Sequence, residues 1–89
     1  MAQTVQEIYA PRPMAASGQV VAVGVAGGCG GFFCSTSGNV QLRDGPVGGN
    51  IIVATFPVTA GVFHALPFGF SNGLYAELNA GATGTFGIQ

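Results

Sequence analysis

The sequence predicts an all-β domain, a compact antiparallel β-sandwich or jelly-roll-like fold, on three observations. Seven short runs rich in Val, Ile, Thr, Phe, Leu and Ala recur between Gly18 and Ile88. Turn signals separate them, among them Asp44-Gly45, Thr59-Ala60-Gly61, Ser71-Asn72-Gly73 and Asn79-Ala80-Gly81. Within runs such as Val40-Gln41-Leu42-Arg43 and Leu74-Tyr75-Ala76-Glu77-Leu78, apolar residues take every second place, the period of a strand with one buried face.

Residues 1–17 differ from the rest and read as an extended N-terminal arm, with residues 18–89 forming the single β domain. Thr4 to Tyr9 suits a short extended segment, and Pro11 and Pro13 give the arm its rigidity by fixing their own φ and turning Arg12 away from helix. Ile8, Tyr9 and Met14 are apolar contacts that such an arm offers to a neighbouring subunit. Gly18 to Ala26 is the first strand, where dense β-branching argues against helix. Gly27-Gly28-Cys29-Gly30-Gly31 breaks it as a reversal or bulge.

Phe32 to Thr36 and Val40 to Arg43 follow as strands. Asp44, Gly45, Gly48 and Gly49 form the next turn, leading into Asn50 to Phe56. There Ile52, Ala54 and Phe56 are expected on one face and Ile51, Val53 and Thr55 on the other, both dry enough to need cover. Val62 to Leu66 is a fifth strand, and Pro67-Phe68-Gly69-Phe70 an irregular connection whose rings plug the core. Asn72 and Gly73 turn the chain into Leu74 to Leu78, and Phe86 and Ile88 on the last strand close the core edge.

Composition narrows the function. Only Glu7, Arg12, Arg43, Asp44 and Glu77 are ionised, 6% of 89 residues against about a quarter in an ordinary soluble domain. Part of such a surface is expected to meet protein, and assembly would add stability that a core this small does not easily supply. A net charge of -1 without a basic cluster argues against nucleic acid. No apolar run approaches the roughly 20 residues of a membrane span, and the N-terminus lacks the basic start and apolar core of a signal peptide.

The residues that carry chemistry do not form a set. Cys29 and Cys34 are expected as reduced, buried thiols, although a disulfide across their short loop is sterically possible. With the distant His64 they leave a tetrahedral metal site one ligand short. His64 has no acid or thiol beside it in sequence and reads as a hydrogen-bonded structural residue. Ser35, Thr36 and Ser37 lack an orienting acid, since Asp44 lies in a turn and Glu77 faces solvent, and a Glu7–Glu77 pair requires the arm to cross that region. The expectation is a protein that is not an enzyme and takes no cofactor. Its protein interface is expected at Ile8, Tyr9, Met14, Phe63 and Tyr75.

Val40-Gln41-Leu42-Arg43-Asp44-Gly45, Gly48-Gly49-Asn50-Ile51 and Phe68-Gly69-Phe70-Ser71-Asn72-Gly73-Leu74-Tyr75-Ala76 together resemble the small tailed-phage virion proteins that decorate or cement heads. The resemblance runs from about Gly38 to Ile88 and does not account for the cluster from Gly27 to Cys34. It implies a noncatalytic virion protein, made in the host cytoplasm and placed on the exterior surface of the capsid. Its partners are then the major capsid protein and neighbouring copies, as a homotrimer. The alternative is a glycan- or receptor-binding accessory module of a tail or fibre, using exposed aromatics and loop Asn or Asp groups.

Overall fold

Eight strands make up most of residues 10–89, the part of the chain that the structure, a computed structural model, describes. They are β1 (Ala10–Met14), β2 (Gly18–Val21), β3 (Gly27–Thr36), β4 (Gly38–Asp44), β5 (Asn50–Val58), β6 (Phe63–Phe70), β7 (Leu74–Asn79) and β8 (Thr83–Ile88). Sheet A has the order β1-β8-β3-β6 and sheet B the order β2-β7-β4-β5. β1 pairs with β8, β2 with β7, β3 with β6 and β4 with β5, all antiparallel. The pairing is that of one long hairpin, folded at the β4–β5 turn and rolled so that successive pairs alternate between sheets. Eight strands wound in this way form a jelly roll, one of the two arrangements that seven runs and their turn spacing predict.

The eighth strand comes from the stretch read as an arm. Ala10–Met14 is extended as its prolines require, but it lies in register along β8, with Pro11 opposite Gly87 and Pro13 opposite Thr85. Proline has no N–H for a second neighbour, so an edge strand is where a sheet tolerates it. Residues 10–14 therefore belong to the β domain, whereas Ile8 and Tyr9 lie outside the described residues.

Three other boundaries move. β2 stops at Val21, and residues 22–26 turn, with the Val25 N–H donating to the Ala22 carbonyl at 3.2 Å. The glycine cluster does not break the sheet but forms the first half of β3. β6 continues through Pro67 to Phe70, where an irregular connection was expected, because β6 is also an edge strand.

Bulges explain which faces are buried. Cys29 pairs with Ile88 and Gly31 with the adjacent Gly87, so Gly30 is an extra residue and the inward parity changes there. Cys29 lies on the inner side before the bulge, and Phe32 and Cys34 lie there after it. Val20 is the extra residue of β2, which puts both Val20 and Val21 in the core. β5 carries one extra residue between its Ile51 and Val53 pairs and another between its Val53 and Phe56 pairs. The clean alternation expected there is lost: Ile52, Val53 and Phe56 all pack against the core, while Ile51 is exposed.

The core lies between the sheets, built on Phe32, Phe86, Leu42, Leu74, Val40 and Cys34. Phe32 and Phe86 are cross-strand partners whose ring centroids lie 4.6 Å apart at 43°. Gly84 makes room for them: a Cβ there would run into the Phe32 ring and the Phe33 carbonyl oxygen. Gly84→Val is therefore expected to destabilise the fold by about 3 kcal/mol through overpacking. Urea unfolding checks this as a lower midpoint at an unchanged slope.

Candidate functional site

The outward faces of the two sheets differ in chemistry. On sheet B the outward residues of β4 and β7 include Gln41, Arg43, Tyr75 and Glu77, with Arg43 Nε 3.8 Å from Glu77 Oε1. Arg43 also donates from Nη1 to the Gly49 carbonyl at 3.0 Å. Such a face is hydrated.

Sheet A presents two outward rows without a charge. One runs Pro13, Thr85, Phe33, Phe63 across β1, β8, β3 and β6, and the next runs Pro11, Gly87, Gly31, Ala65. Arg12, the one ionised residue of sheet A, is in register with the inward Phe86 at the edge. Phe33 is 47% exposed, Phe63 60% and Phe68 40%. Phe33 and Phe63 are direct cross-strand partners. The Phe63 ring lies over Gly31, where a Cβ would collide with it and come 2.7 Å from the His64 carbonyl oxygen. Beside that ring is a recess of about 310 Å³ lined by Gly30, Gly31, Phe63 and Gly87.

Of the residues expected to share an interface, the three described ones are not brought together. Phe63 lies on the outer face of sheet A and half-buried Tyr75 on sheet B, while Met14 is packed against the core. The sequence pattern gives Phe33 no surface role and puts Phe68 in the core with Phe70. Phe70 is buried as expected, but Phe68 is not. The signal for Phe33 was present, because adjacent residues in a strand face opposite ways and the pair Phe32-Phe33 must send one ring outward.

The turn residues act at the end of the sandwich where residues 22–26, 45–49 and 71–73 meet. Gly45, Gly48 and Gly73 have φ of 107°, 104° and 92°. The Gly73 N–H donates to the Val25 carbonyl at 2.7 Å, and the Gly45 N–H to the Gly73 carbonyl at 3.0 Å. Asp44 is more than a turn former. Its carboxylate accepts the Ser71 N–H at 3.1 Å, the Asn72 N–H at 2.9 Å and the Ser71 hydroxyl at 3.0 Å. Gln19 Nε2 donates to the carbonyls of Val21, Gly45 and Leu74 at 3.0, 3.2 and 3.3 Å.

The polar residues with catalytic potential are used in turns. His64 Nε2 accepts the Thr59 N–H at 3.3 Å, with its ring 6.2 Å from that of Phe56. Ser37 Oγ accepts the Ala60 N–H at 2.9 Å, and the Thr83 hydroxyl donates to that of Thr36 at 3.0 Å. Asp44 lies at the opposite end of the sandwich from these loops. Among the described residues no group of three or more His, Cys, Asp or Glu is placed to hold a metal ion. Cys29 and Cys34 are buried and free. Five residues apart on one strand, they stand roughly 15 Å from each other, beyond the reach of a disulfide.

These observations define a jelly-roll sandwich in which, among the described residues, the outer face of sheet B carries charge and the outward rows of sheet A carry none. Compared with protein-family models, curated proteins and solved structures, the chain matches none.

Two measurements probe this arrangement. Hydrogen bonds from the Ser71 backbone first, then from the Asn72 backbone and the Ser71 hydroxyl, hold the Asp44 carboxyl below its ordinary value against the opposing effect of desolvation. A lowered folded-state pKa gives stability that is complete above the unfolded value of about 3.9 and disappears as pH falls through the folded value. Melting temperatures measured below about pH 4 should thus fall less steeply for Asp44→Asn than for the wild type, the two converging in acid. Burial pushes the Cys29 thiol up, opposed by a hydrogen bond with the Gly31 backbone. Iodoacetamide should modify neither cysteine in the folded protein and both in denaturant, read by mass spectrometry.

Proposed function

We propose that the protein is a noncatalytic virion structural protein that decorates or cements a capsid, bound on its exterior to the major capsid protein and to neighbouring copies. The observation that carries this reading is the outer face of sheet A, whose two outward rows hold no charge and on which Phe33 and Phe63 are exposed. A solvated face has no physical need for two adjacent rings, whereas an interface uses rigid aromatic area for concentrated burial. The jelly roll is compatible with this role, since viral capsid domains use it, but lectins and cupins use it too, so the face and not the fold supports the proposal.

The same face argues for protein rather than carbohydrate as the partner. Glycan recognition needs hydrogen-bonding side chains converging on a pocket, and the recess is lined by Gly30, Gly31, Phe63 and Gly87. Contacts of this kind act additively. Each copy is held weakly, and many copies across a closed shell raise the cost of separating its subunits.

Full burial of a phenylalanine is worth about 1.5–3 kcal/mol, and about half of that area is still exposed on Phe33 and Phe63. Phe33→Ser and Phe63→Ser are each expected to weaken retention on particles roughly tenfold in cosedimentation, with near-UV circular dichroism of the purified variants unchanged. Tyr75→Ser, on the opposite face, should leave retention intact. Unchanged retention in both phenylalanine variants, or absence of the protein from particles, overturns the proposal.

A further inference from the structure

Two dipeptides of the sequence, Asp44-Gly45 and Asn72-Gly73, carry the chemistry by which a chain modifies itself without an enzyme. A glycine has no Cβ to shield the side-chain carbonyl carbon of the residue before it, and its amide nitrogen can close on that carbon to a cyclic imide. At Asn72 the Gly73 amide gives its proton to solvent base, its nitrogen bonds to Asn72 Cγ, and the side-chain nitrogen leaves as ammonia. Water then opens the imide at either carbonyl, to aspartate or, with one more carbon in the main chain, to isoaspartate. Asp44 is the poorer electrophile, because its carboxylate is ionised and engaged by Ser71 and Asn72.

The fold gathers both dipeptides into one joint and occupies the nitrogens that would react. The Gly73 N–H donates to the Val25 carbonyl at 2.7 Å and the Gly45 N–H to the Gly73 carbonyl at 3.0 Å, a relay that ties three loops. An imide nitrogen carries no hydrogen, so closure at Asn72 requires the bond to Val25 to be given up. Turning the peptide between Asn72 and Gly73 is opposed as well. Gly73 has a φ of 92°, and a Cβ there would stand 2.6 Å from the Ala22 carbonyl oxygen. On the other side the Asn72 N–H is held by Asp44 Oδ1 at 2.9 Å. Asn72 itself is exposed, so water reaches its side chain as soon as the backbone is released.

We infer that Asn72 is a self-modification site closed by this joint: it deamidates when residues 22–26 and 71–73 part, and its products then keep them apart. Isoaspartate lengthens the main chain between two N–H groups now fitted to Asp44 and to Val25, so both bonds cannot be remade. Aspartate sets a second carboxylate beside that of Asp44, where like charges repel. Opening of this end of the sandwich thereby becomes irreversible, with no ligand required.

The inference does not depend on the decoration reading. Its test is peptide mapping by mass spectrometry of the full chain kept warm at mildly alkaline pH, in buffer and in urea. Deamidation is expected at Asn72 before Asn39, Asn50 or Asn79, and roughly tenfold slower in buffer than in urea. Asp44→Ala, which frees the Asn72 N–H, should raise the rate in buffer roughly tenfold. Ser37→Ala, which frees the Ala60 N–H at the other end of the sandwich, should leave it unchanged. The deamidated chain, separated by ion exchange, and Asn72→Asp should both show faster hydrogen exchange at Gly45 and Gly73, with protection at Phe86 retained. Equal rates in buffer and urea, no acceleration by Asp44→Ala, equal acceleration by Ser37→Ala, or unchanged exchange in the modified chain overturns the inference.

Discussion

The packing of Phe32 on Phe86 over Gly84 sets both surfaces of sheet A. The rings meet in the middle of the sheet, at a centroid separation of 4.6 Å, because β3 and β8 are neighbours and the two residues are in register. Gly30 makes this possible, since its bulge resets the parity of β3 after Cys29 has already turned inward. Without that extra residue, the alternation that buries Cys29 would send Phe32 outward and Phe33 inward. The parity that completes the core also places Phe33 beside Phe63 on the outside, so the core and this aromatic pair are decided by one feature of the backbone.

The remaining polar groups keep that framework in place. Asp44 gathers three donors from residues 71 and 72, and Gln19 bonds carbonyls of β2, of β7 and of the turn after β4, so one end of the sandwich is tied by two side chains. At the other end His64 and Ser37 hold the β5–β6 loop. These side chains cap turns and strand ends, where backbone N–H and carbonyl groups lack ladder partners. Asp44, Gln19, His64 and Ser37 are committed to closure, and Arg43 and Glu77 place charge on sheet B. The two outward rows of sheet A are left without a charge.

Much of this architecture was legible in the sequence. Alternation in Val40-Gln41-Leu42-Arg43 and Leu74-Tyr75-Ala76-Glu77-Leu78 placed β4 and β7, the centre of sheet B, with the inward residues correct. These strands are regular and paired on both sides, so local period and tertiary burial agree there. The turns at Asp44-Gly45, Ser71-Asn72-Gly73 and Asn79-Ala80-Gly81 were legible for the same reason, because their chemistry is local.

The sequence by itself determined an all-β chain, its turns, the two regular central strands of sheet B and a surface poor in charge. Tertiary structure alone decided the rest. Pro11 and Pro13 read as an arm until β8 supplied a partner for the edge strand that they permit. The glycines from Gly27 to Gly31 read as a break until β6 and β8 enclosed them in a sheet. Phe33 and Phe63, thirty residues apart, become one patch only through the pairing of β3 with β6. Bulges and strand neighbours are properties of pairs of segments, and the period of a single segment cannot carry them.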